Sequence, residues 1–168
     1  MPVSMYEISV PIYLRLLAAI ETSLDKAVAH AEAGRFPPES LLAARLYPDM
    51  WSYAEQVKAA TNHAFRGTAR LAGVEIPAIP DSVATVDDIR VRIQATRAFV
   101  SSADPAAIEA GADRAVTFPL GGEQKTSTGK EYFLLFSQPN FMFHAATAYD
   151  ILRHNGVPLS KADFLGPV

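Results

Sequence analysis

Cysteine is missing from the 168-residue chain. Its absence excludes disulfides, thiolate zinc sites, iron–sulfur clusters and thiol nucleophiles together, and it fits a reducing compartment. Basic charge is also short: the formal net charge is -3. Binding a phosphate backbone needs a basic face, so no nucleic-acid partner is expected. Long hydrophobic runs are lacking too. The most apolar stretch, 132–148, is interrupted by Ser137, Gln138, Pro139, Asn140 and His144, so no membrane segment is expected. No basic, apolar leader opens the sequence, and the cytoplasm is the expected location. H-E-x-x-H, G-x-S-x-G and G-x-G-x-x-G are absent. Gly129-Lys130 is not a phosphate loop, because Gln124 stands where the motif needs Gly and Glu131 where it needs Ser or Thr. No cofactor is expected.

What is present is helical patterning. The length fits one domain, 1–168, able to bury roughly 70% of its unfolded surface without staples. Residues 1–4 read as an extension and 157–168 as a C-terminal tail. The spacing predicts helix 1 over 9–33, capped by Ser9 with Pro11 in its first turn; Tyr13, Leu16, Leu17, Ile20, Leu24, Ala27 and Ala31 form its core stripe. A short helical piece is expected over 39–45. Helix 2 is expected from Pro48 to Leu71, with core residues Met50, Tyr53, Val57, Ala60, Ala64, Gly67 and Leu71. Gly67 in that stripe permits a close helix–helix approach, at about 1 kcal/mol against Ala.

Thr85-Val86-Asp87-Asp88 opens helix 3 as a capping box, and Ile89, Ile93, Thr96 and Val100 carry its buried face. Asp104-Pro105 ends it and begins one further turn. Alternation around Gly121-Gly122 predicts a small β-hairpin over 114–127. Thr128 to Glu131 is another capping box, opening helix 4, which runs to Asn155 and stops at Gly156. Ser160 to Asp163 can cap a last turn. The fold class expected is all-α: a four-helix bundle with a long connection that carries a hairpin before the last helix.

Functional candidates come from polar residues beside the core. Asp49, Gln56 and His63 are spaced by seven and share a helix face. Asn140 and His144 are four apart on helix 4. Two such rows facing one another would line an interhelical cleft, where bundle proteins place ligand sites. Blander explanations stand beside this. Asp49 suits a first helical turn, His30 and His154 suit last turns, and His144 amid aromatics suits a hydrogen-bonded core histidine. Trp51, off the core stripe, is placed to cover the corner near Pro48 or to meet a second subunit.

"MYEISVPIYLRLLAAI", "LLAARLYPDMW", "RLAGVEIP" and "GKEYFLLFSQPNFMFHAATAYDILRHNGVPLSKADFLG" together resemble the DinB/YfiT-like superfamily of bacterial four-helix bundles. More closely, they resemble a branch known only as a domain of unknown function. The resemblance implies a bundle with a long crossover, often dimeric. It also implies, in many members, a divalent metal held by one histidine on helix 2 and an H-x-x-x-H pair on helix 4, with thiol-dependent transferase or isomerase activity in several. This chain departs there. Matching Leu152 to Gly156 with the family's ending puts Pro139 and Phe143 at the helix-4 ligand positions, and no H-x-x-x-H occurs. His144 lies one residue away, rotated ~100°. On a continuous helix 2, Asp49 and His63 would stand ~21 Å apart.

The reading is therefore a DinB-like bundle without the three-histidine metal site. It binds a small molecule in a cleft of Asp49, Gln56, His63, Asn140 and His144, and forms a homodimer because helix 4 carries more apolar surface than one core stripe absorbs. The alternatives are a divergent transferase or hydrolase using His144, with Asp49 orienting it, and a structural or interaction module.

Overall fold

The computed structural model describes residues 3–166. Its four long helices are α1 (Met5–Gly34), α3 (Tyr53–Ala72), α4 (Val86–Ser101) and α7 (Gln138–His154). Short helices α2 (Glu39–Leu42) and α5 (Pro105–Ala110) decorate the connections. The hairpin β1 (Ala115–Leu120) and β2 (Glu123–Thr128) precedes α6 (Gly129–Tyr132), and α8 (Lys161–Leu165) closes the chain. Helix α3 packs against α7 and α4, while α1 touches α4, α7 and α8. This is the helical architecture the periodicity predicts. No helix among the described residues is long and apolar enough to cross a membrane.

The α1 stripe expected from Tyr13 to Ala31 is buried in full, as are Tyr53, Val57, Ala60, Ala64 and Leu71 of α3. Helix α1, however, starts at Met5, with the Ser4 hydroxyl accepting from the Glu7 N–H at 3.1 Å. Ser9 instead donates to the Met5 carbonyl at 2.6 Å, and Pro11 lies inside the helix. The Glu109 carboxylate, from α5, accepts from the N–H groups of Met5 and Tyr6 at 3.1 Å and from the Ser4 hydroxyl. Of the expected extension, then, Ser4 belongs to the helix cap, and Met1 and Pro2 lie outside the described residues. The tail is integral as far as it is described: Val157 and Leu159 are buried in the core, while residues 167 and 168 fall outside.

Helix α3 begins at Tyr53 rather than Pro48. Its cap is Ser52, whose hydroxyl accepts from the Glu55 N–H at 3.4 Å while the Glu55 carboxylate accepts from the Ser52 N–H at 2.7 Å. Two orphan N–H groups are satisfied at once, which fixes the start of the helix here. Residues 46–50 become an irregular turn. The capping boxes at Thr85 and Thr128 form as expected. The hairpin turn at Gly121-Gly122 has φ of 62° and 86°, a left-handed pair that glycine adopts without a Cβ penalty.

The single last helix expected from the sequence is interrupted. Between α6 and α7 lies a π-helical turn, Phe133–Ser137. Pro139 has no N–H for the regular bond to the Leu135 carbonyl, and the backbone widens immediately before it. The Asn140 side-chain amide donates to the Phe136 carbonyl at 2.6 Å across the widened region.

Candidate functional site

A cleft of about 310 Å³ opens between α3 and α7 beside the hairpin residue Pro119. His63, Asn140 and His144 line it, together with Trp51, Asn62, Arg66, Arg70 and Phe136. Gln56 is buried behind His144. Four of the five expected residues thus converge. Asp49 does not: it is exposed, lies in the turn before α3, and is absent from the cleft wall. The heptad row breaks at Asp49 because the capping box starts the helix four residues after it. Asp49 is not placed to orient His144.

His144 is 8% exposed and is held on three sides. Its Nδ1 lies 2.7 Å from Oε1 of Gln56. The other end of that amide, Nε2, donates to the Trp51 carbonyl at 3.5 Å. A carbonyl only accepts, so this contact orients the amide and makes His144 Nδ1 the donor. Nε2 of His144 then carries the lone pair, with no hydrogen-bond partner among the described residues. The rings of Trp51 and His63 both stack on His144, at 5.5 Å and 5.7 Å between centroids, each with an interplanar angle of 16°. Phe136 meets His63 edge-on at 5.6 Å. Trp51, which the sequence placed at a corner or a subunit contact, is 52% exposed and covers His144.

Electrostatics keep both imidazoles neutral. Burial pushes His63 down to about 4, helped by the neighbouring His144, Arg66 and Arg70. Burial likewise lowers His144. Cleft charge comes instead from Arg66 and Arg70. Arg70 donates to the Tyr132 hydroxyl at 3.0 Å with its guanidinium 5.4 Å from that ring's centroid.

The wall rests on a buried relay. Ser137 donates to the His63 carbonyl at 3.1 Å, and its hydroxyl is 3.0 Å from that of Tyr13. Gly67 lets these elements meet, since a Cβ there would lie 2.5 Å from the Ser137 oxygen and 2.7 Å from the Tyr13 oxygen. On the other flank, Arg92 is 1% exposed. It donates to Thr61 Oγ1 and Asn62 Oδ1, both at 2.7 Å, and to the Pro80 carbonyl at 2.6 Å. Asn62 is thereby held with its oxygen turned to Arg92.

The donor set fits a divalent metal poorly. Each imidazole lone pair lies in its own ring plane, and the near-parallel stacked planes of His63 and His144 do not direct two nitrogens to one point. One nitrogen of His144 is already engaged by Gln56. No group of three His, Cys, Asp or Glu able to hold a metal occurs among the described residues.

Several contributors escape a reading of sequence alone. Arg66 and Arg70 look like a solvated helix face, and Trp51 finds its partner only when α7 arrives. The Ser52–Glu55 capping box was the available signal for the start of α3.

Comparison with known proteins agrees with this architecture. The sequence profile of a domain of unknown function (DUF1993) matches residues 5–165. A crystal structure of a DinB family member protein from Shewanella denitrificans is 33% identical. It superposes with a TM-score of 0.90, over 97% of this chain and 92% of that one. No curated protein matches the chain. The chain belongs to the DUF1993 domain family and is a member of the DinB family in fold and sequence.

Proposed function

We propose that this protein binds a small molecule in the cleft between α3 and α7, without the three-histidine metal site that its superfamily resemblance implies. The observation that carries this reading is the cleft itself: about 310 Å³, walled by the stacked Trp51, His144 and His63. Concave sites with aromatic walls and a few fixed polar groups are where small ligands bind. Gln56, Ser137 and Arg92 hold the polar groups in position through protein–protein hydrogen bonds. No metal is needed to organise them. A thermal-shift screen of small polar aromatics tests the reading. Hits should stabilise the wild type and be lost in Ala59→Leu, which fills the cleft wall. A screen in which every hit survives that substitution contradicts it.

The protein also forms a homodimer in this reading. Leu135 is 78% exposed, Phe143 is 55% exposed and Met142 is 39% exposed, all on the π-turn and first turns of α7. A two-fold contact would cover this apolar strip. A cytoplasmic location completes the proposal, consistent with a chain that has no cysteine.

A further inference from the structure

The charges in the cleft are of one sign. Arg66 and Arg70 are four residues apart on α3, share a face, and both line the cavity, whereas no Asp or Glu does. Neither forms an ion pair with a carboxylate among the described residues, whereas Arg45, Arg90, Arg92 and Arg97 do. Arg15, Arg35, Arg114 and Arg153 also form none among the described residues, but they do not line the cleft. Asp81 is near enough to sense Arg66, but it is bound by Lys58 at 2.6 Å and lies 3.6 Å from Arg92. In a chain with net charge -3, this concentration of cations does not follow from composition. Two like charges at this spacing repel by about 0.2–0.5 kcal/mol, and an anion bound between them would relieve that repulsion.

We propose, resting on the cleft being a small-molecule site, that its ligand is a small organic anion. A carboxylate or phosphate group sits between Arg66, Arg70 and His63, and a flat apolar portion lies against Trp51 and Phe136. The guanidinium fork matches oxyanions, and Arg70 is already oriented by Tyr132. Asn62, with its oxygen committed to Arg92, offers the cleft its N–H donors. His63, neutral at pH 7, donates one N–H. An anion placed here cancels the repulsion that Arg66 and Arg70 exert on His63, so binding and protonation of His63 favour one another.

Trp51 is the only tryptophan, so its fluorescence reports on the cleft directly. The full chain is titrated with phenyl phosphate, benzoate and neutral benzyl alcohol. The expected result is saturable binding of an anionic compound, with benzyl alcohol at least tenfold weaker. The tighter of benzoate and phenyl phosphate identifies the anionic group. Arg66→Gln, at an exposed residue whose side chain makes no hydrogen bond among the described residues, should weaken the anion at least tenfold and leave the fold intact by circular dichroism. If benzyl alcohol binds as tightly as the anions, or Arg66→Gln leaves their affinity unchanged, the anion assignment falls and the cleft reading stands. If no compound of either kind perturbs Trp51, both fall.

Discussion

Nδ1 of His144 lies 2.7 Å from Oε1 of Gln56 across the α3–α7 interface. Both residues are buried, and the bond fixes the imidazole that supports the Trp51 and His63 rings. Replacing Gln56 by Met keeps volume but leaves a buried N–H without an acceptor. That costs about 1–3 kcal/mol. Urea denaturation should show the loss, together with a change in Trp51 emission. An unchanged midpoint would mean that the bond does not hold His144.

The histidines also make stability depend on pH. The folded state keeps His63 near 4 and His144 below its ordinary value, whereas the unfolded imidazole titrates near ~6.5. The unfolded chain therefore binds more protons as pH falls, and stability declines from about pH 6.5 to about pH 4. Glu55 and Asp163, which hydrogen bonds hold below the carboxylate range, add their loss only at lower pH. The urea midpoint of the wild type should therefore drop more between neutral pH and pH 5 than that of His63→Phe. Parallel curves for the two proteins would show that His63 is not held neutral by its surroundings.

Gly67→Ala tests the close approach beneath the site. Its methyl group would meet the Ser137 and Tyr13 oxygens at 2.5 and 2.7 Å, forcing apart the relay that ends on the His63 carbonyl. Overpacking of this kind costs about 1–3 kcal/mol, more than offsetting the helix propensity gained from alanine. Thermal unfolding measures it, and a more stable variant would show that the helices have room to separate.

What the sequence showed of this site, and what it hid, follows from the range of each signal. Helix faces are local, so the seven-residue spacing of Gln56 and His63 and the four-residue spacing of Asn140 and His144 were enough to put each pair on one helix face, and those faces meet between α3 and α7. The same rule failed for Asp49 because it assumed a helix that Ser52 and Glu55 begin later. The interruption of the last helix before Pro139 needed the proline to be weighed against a strongly helical pattern. The cover by Trp51, the buried Arg92 and the cluster of Arg66 with Arg70 depend on contacts between distant elements, which no periodicity reports.

The exposed strip of Leu135, Met142 and Phe143 yields a prediction about assembly. Sedimentation velocity should give a dimer at micromolar concentration, and Leu135→Glu should shift it to monomer without changing the helical content. A wild type that is strictly monomeric under these conditions would refute the dimer.

The central claim, that the α3–α7 cleft is the binding site, is tested most directly by a difference electron-density map. Crystals would be soaked with the compound that gives the largest thermal shift. The account predicts density for that compound in contact with His63, Asn140 and the arginines of α3, with the Gln56–His144 bond retained. Density for the compound at another site, with the cleft holding only solvent, would contradict it.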